Sequence, residues 1–151
     1  MLAQIALVAG LIVLGLIVTM ATFSLLSRKP DNLGLREGRL APCPATPNCV
    51  CSLDNDAGHA IEPLRFTDAP DAAWQRLQRV LAAQPRCGIA SDDGTYLHAE
   101  FASLLFRFVD DVEFHRGDGL IHVRSASRAG RGDLGVNRAR IEAIRAAFDN
   151  L

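Results

Sequence analysis

Residues 1–27 carry no charged side chain, and "IALVAGLIVLGLIVTM" within them is almost wholly aliphatic. A helix that crosses a bilayer core of about 30 Å needs about 20 apolar residues. Leu2 to Leu26 supplies them with room for tilt. A cleavable signal peptide has a basic start, a shorter apolar core and a small-residue cleavage site. Here no Lys or Arg precedes the long run, and "ATFS" is a weak site. Residues 1–27 are therefore expected to be a transmembrane anchor or an uncleaved signal, with the uncleaved anchor favoured. The competing reading, a buried core helix, would need more protein to cover it on all sides than a 151-residue chain can supply.

Two signals conflict over which side of the membrane holds the remainder. Arg28, Lys29, Arg36 and Arg39 follow the apolar run, and such residues favour the cytoplasm. The cysteines point outward, because stable disulfides belong to oxidising compartments. Three of the four lie in "APCPATPNCVCS", together with three of the seven prolines, a stretch that reads as neither helix nor sheet. It belongs to a Pro/Gly/Cys-rich tether over 28–60 with little periodicity. Four cysteines allow three full pairings, and spacing does not choose among them. A zinc site from Cys43, Cys49, Cys51 and His59 is the alternative. It lacks the close Cys-x-x-Cys knuckles that structural zinc uses, so a structural disulfide is favoured.

Residues 61–151 read as a globular α+β domain. "IEPLRF" is a short strand. "TDAPDAAWQRLQRVLAAQP" is a helix, with Asp68 as cap, Pro70 in its first turn, Pro85 as its stop and Trp74, Leu77 and Leu81 as its apolar stripe. Four strands follow: "CGIAS", "YLHAEFAS", "LFRFVDDVEFH" and "LIHVRSAS". Alternation places Leu97, Ala99 and Phe101 on one face, and likewise Phe106, Phe108, Val112 and Phe114, and Ile121 with Val123. "VNRARIEAIRAAFDNL" is a helix with Asn137 as cap and Ile141, Ile144, Phe148 and Leu151 on its stripe. The order strand, helix, four strands, helix predicts an antiparallel meander sheet with both helices packed on one face.

"LAPCPATPNCVCS", "YLHAEFASLLFRFVDDVEF", "IHVRSASR" and "DLGVNRARIEAIR" together resemble the bacterial and plastid family called domain of unknown function 1499. Four separated blocks in matching order cover nearly everything from Leu33 onward. In that family the first block reads "CP-S-PNCVSS", its outer cysteines matching Cys43 and Cys49. Cys51 stands where a serine is usual. The resemblance implies an extracytoplasmic domain, exported or held by a single anchor, with Cys43 bonded to Cys49. It implies no activity.

The opposite parity gathers polar residues on the other sheet face. His98 and Glu100 alternate together, as do Arg107, Asp111 and Glu113, and His122 with Arg124. Such a face reads first as cross-strand ion pairs; a metal site from His98, Glu100 and His122 is the sharper alternative. Asp110 falls on the apolar face and needs a partner there, for which Arg128 or a backbone donor is expected. Arg124, Arg128, Arg131, Arg138 and Arg140 surround the last helix start, where an anion would be favoured. "GRGDLG" matches the dinucleotide fingerprint but is followed by one helix, not by a second parallel strand, and reads as a turn. Net charge is −1 and basic residues do not interleave with aromatics, which argues against nucleic acid.

The expectation is a membrane-anchored, periplasmic or otherwise extracytoplasmic domain of the cell envelope that binds a small molecule or an envelope protein and carries no cofactor or metal. Its candidate ligand-binding residues are His98, Glu100, Arg107, His122, Arg124, Arg128, Asn137 and Arg138, with Cys43, Cys49 and Asp110 as structural residues. An enzyme using His98, Glu100 and His122, or a structural subunit of a membrane complex, are the alternatives. By analogy with helix-grip lipid binders, a small apolar pocket beneath the sheet is also weighed.

Overall fold

The structure, a computed structural model, describes residues 1–151. In chain order it contains α1 (Leu2–Leu25), β1 (Cys49–Cys51), β2 (Leu64–Arg65), α2 (Pro70–Ala82), β3 (Cys87–Asp92), β4 (Tyr96–Ala102), β5 (Val109–Arg116), β6 (Leu120–Ser127) and α3 (Val136–Asp149). The helix α1 has no buried residue. Along nearly all its length its side chains find no protein to pack against, and only its last turns approach the domain, through Phe23. A helix suited to lipid presents itself in this way.

The remaining elements form an antiparallel α+β fold. The sheet order is β1-β6-β5-β4-β3, with β2 also paired to β6. β3 to β6 form the expected meander. Helices α2 and α3 lie on one face of it. Ala73, Trp74, Leu77, Val80 and Leu81 of α2 are buried against it. So are Ile141, Ile144 and Phe148 of α3, which meet Leu97, Phe101, Val112, Phe114, Ile121 and Val123 from the strands. These side chains fill the space in which a helix-grip pocket would lie.

Several local expectations are corrected. "APCPATPNCVCS" is not wholly irregular, because Cys49–Cys51 pairs with Arg124–Ala126 as an edge strand. "LFRF" is a turn, and β5 begins only at Val109. Arg107 has a φ of 54°, a left-handed conformation that interrupts an extended chain, so Phe106 and Phe108 do not continue the apolar face of Val112 and Phe114. Asp68 does not cap α2; it receives a hydrogen bond from Arg76 at 3.0 Å, and Ala69 occupies the cap position. Asn137 does not cap α3. Gly135 precedes that helix in a left-handed conformation, and the Asp133 carboxylate accepts from the Asn137 amide at 3.0 Å. Leu151 lies beyond α3 and is exposed.

Asp110 lies on the helix side of the sheet, mostly buried. Its partner is Arg140 of α3, not Arg128. Register explains the switch: Asp110 faces Ser127 across β5–β6, and one residue further Arg128 points to the other face. The Asp110→Ala variant strands Arg140 over the Phe101 ring and is expected to lose about 1–3 kcal/mol of stability. Chemical denaturation followed by the single tryptophan, Trp74, measures it. A loss within error would place the ion pair in solvent.

Cys43 and Cys49 form a disulfide, and Cys51 and Cys87 are free. The two free thiols sit on β1 and β3, the two ends of the strand order, so they do not meet. A zinc site using Cys43 and Cys49 is overturned by the same bridge, and His59 instead lies against the Cys49 carbonyl at 2.9 Å.

Candidate functional site

The face of the sheet away from the helices is covered by the segment between α1 and β2. Leu40 and Ala41 are buried there, and the Gly34 amide donates to Glu113 Oε1 at 2.8 Å and to the Tyr96 hydroxyl at 3.1 Å. This segment makes its own hairpin, Arg36 to Arg39, in which both amides donate to the opposite carbonyl at 2.9 and 3.0 Å. Glu37 and Gly38 both have positive φ, the type I′ geometry that suits a two-residue turn.

Beneath this cover lie the polar side chains that alternation had placed together. Cross-strand register sets them in rows: Glu100 opposite Asp111, and His98 opposite Glu113, which faces Arg124. In one cluster the His98 Nε2–H donates to Asp111 Oδ1 at 2.7 Å. Arg128 reaches the same carboxylate through Nε at 2.8 Å and Nη2 at 2.7 Å and also pairs with Glu100. In the other, Arg124 Nη1 donates to Glu113 Oε2 at 2.8 Å while the Tyr96 hydroxyl donates to Oε1 at 2.7 Å. His98, Asp111, Glu113 and Arg124 are each at most 2% exposed. Charges taken this far from water persist only when paired and hydrogen-bonded.

Burial alone would raise the Asp111 carboxyl, yet hydrogen bonds from Arg128 and His98 hold it below the usual carboxylate range. Those bonds to Asp111 in turn raise Arg128 against the opposing effect of burial. Tyr96 is raised by burial and by the neighbouring Glu113 carboxylate. Cys87 is pushed up to about 11 by burial, so its thiol is a poor nucleophile at neutral pH.

His98, Glu100 and Asp111 bring ligand-type atoms within 4.8 Å of one another. A divalent cation there would have to displace the Arg128 guanidinium that already bonds both carboxylates. The donor set fits an internal ion-pair lattice better than a metal centre. His122 is not part of it: the ring stacks on His115 with centroids 6.3 Å apart and lies 3.3 Å from Ser52 Oγ. Burial, then the neighbouring His115, keeps His122 below its ordinary pKa.

The other candidates are dispersed. Arg107 is exposed in the β4–β5 turn. Asn137 is fully buried on the helix side, where its amide donates to the Asn48 carbonyl and to Ser127 Oγ and its oxygen accepts from Ser125. That is a strut between α3, β6 and the disulfide loop. Arg138 donates to the Gly58 carbonyl at 3.1 Å. Tyr96, Ser52, His115 and the Gly34 amide were missed. Tyr96 shares the parity of His98 and Glu100, a signal that extending the alternation by one step would have used. Gly34 acts through its backbone and leaves no trace in side-chain pattern.

A family model described as protein of unknown function, DUF1499, matches residues 39–148. The chain belongs to the DUF1499 family. The matched stretch takes in the disulfide loop and β1 as well as the meander and both packed helices, so the DUF1499 domain includes part of the cover as well as the sheet it protects. Among curated proteins no match is found.

Proposed function

We propose that this DUF1499 protein is a membrane-anchored, extracytoplasmic module of the cell envelope that binds a ligand or an envelope partner and performs no chemistry of its own. One observation carries the reading: the chain leaving α1 is not a free linker. It is folded onto the sheet through Gly34, Leu40, Ala41 and the Cys43–Cys49 bridge. A helix long and apolar enough to cross a membrane is thus joined to the domain by an ordered connection, which holds the domain at a set position beside the bilayer. The side chains best suited to catalysis, His98, Glu100 and Asp111, are spent on one another and on Arg128. An open cleft of about 440 Å³ remains on the cover, lined in part by Arg36, Arg39, Leu40 and Leu53. Two guanidiniums beside apolar side chains suit an anionic group on a small molecule or a partner's acidic segment.

An impermeant maleimide applied to intact cells tests the placement. With Cys87→Ser removing the partly exposed free thiol, labelling at Cys43 is expected only after treatment with an impermeant reductant. Labelling that needs lysis and no reductant would put the domain in the cytoplasm and the bridge out of existence.

A further inference from the structure

The turn between β4 and β5 sends apolar side chains outward. Leu104 and Leu105 are 74% and 81% exposed. The turn is not loose: the Ser103 amide donates to the Phe108 carbonyl at 2.8 Å, and the Phe108 amide donates to Ser103 Oγ at 2.9 Å. Two adjacent leucines are therefore held out by a closed loop rather than left there by a frayed one. Behind them the Phe106 and Phe108 rings pack with centroids 6.1 Å apart. Phe23, in the last turns of α1, meets Phe108 edge-on at 6.2 Å. The turn thus sits beside the end of the apolar helix. Arg107 lies within the turn and Arg86 alongside it, its carbonyl accepting from the Ala102 amide at 3.1 Å. Glu100 lines the same surface as these two arginines, and Arg28 and Lys29 follow α1 in the chain.

We infer that the 103–108 turn is a second membrane contact, with Leu104 and Leu105 entering the interfacial layer of the leaflet from which α1 emerges. Exposed leucines gain by leaving water, and arginines at that depth meet lipid phosphates. The aromatic pair Phe23–Phe108 makes the lipid-facing surface of α1 continuous with the turn, which is why the occupant is the bilayer rather than another protein. The inference rests on α1 spanning the membrane.

The test uses the full chain in nanodiscs of phosphatidylcholine and phosphatidylglycerol, with and without brominated acyl chains. Leu105→Trp reports on the turn. Asp118→Trp, in the β5–β6 turn at the other end of the sheet, is the control with the same tryptophan bias. Native Trp74 is buried and contributes a constant background. The tryptophan at 105 is expected to lose most of its emission to brominated lipid and to be shielded from iodide. The one at 118 should show the reverse. If position 105 behaves like position 118 in discs that contain the protein, the turn does not touch lipid and the inference fails alone. A chain that never enters the discs overturns the anchor reading, and this inference with it.

Discussion

Replacing Glu113 by alanine is expected to cost about 3–5 kcal/mol, the range for removing one partner of a buried ion pair. Glu113 is fully buried and accepts from three donors: Arg124, Tyr96 and the Gly34 amide. Arg124 is the weak point of this arrangement, because its Nε already lacks a partner while buried. Without the carboxylate, its positive charge stays inside with nothing to balance it. The same change leaves the Gly34 amide with the Tyr96 hydroxyl as its one remaining acceptor, which weakens an attachment of the cover to the sheet. Set against a total stability of about 5–15 kcal/mol for a domain, this loss is enough to lower the yield of folded protein. The double variant Glu113→Leu/Arg124→Met should recover a large part of it, since two apolar groups leave no charge stranded. Urea unfolding of the three variants gives the comparison. A single-variant loss below about 1 kcal/mol, the range of exposed pairs, would mean that water reaches this pair.

Acid should weaken the fold through Asp111. Its folded pKa is depressed by Arg128 and His98 despite burial, whereas the unfolded carboxyl titrates near 3.9. Between those values the unfolded chain binds more protons than the folded one, so stability rises with pH. The contribution is complete above about pH 4, the unfolded value, and disappears as pH falls through the folded pKa. Asp111→Asn is expected to lose about 1.5–3 kcal/mol at neutral pH, the worth of a hydrogen bond to a charged group. It should also flatten the stability profile below pH 4, in the window set by the unfolded value. An unchanged acid limb in the variant would assign that limb to other carboxylates.

Much of this was readable in residues. Apolar spacing located α2 and α3, and parity sorted His98, Glu100, Asp111, Glu113 and Arg124 onto one face. Depth was not readable. That face is buried by a segment with no periodicity of its own, attached through a glycine amide, a disulfide and two apolar side chains, Leu40 and Ala41. Strand β1 was hidden for a related reason: prolines dominate its local sequence, and its pairing with β6 joins residues more than 70 positions apart. Asp110 was seen to need a partner, but Arg128 and Arg140 are equivalent in composition. Only the switch of face after Ser127 separates them. At "LFRF", alternation continued across a turn because apolar residues aimed at a core and apolar residues aimed outward produce the same pattern.

The edges of the sheet have a consequence for many copies of the chain together. Proteins gathered at a surface meet one another far more often than in bulk, and an open strand is a template for pairing with a neighbour. On one side, β6 is covered and the edge is made of β1 and β2, which are three and two residues long, too short to template a neighbour's strand. On the other, β3 is exposed along most of its length, yet its register slips between Ile89 and Ser91. A bulge of this kind bends the strand and breaks the row of donors and acceptors. Asp92 closes that edge with a negative charge, tied down by Trp74 and Gln78 of α2. Copies of this chain crowded together would therefore lie side by side without one sheet running into the next.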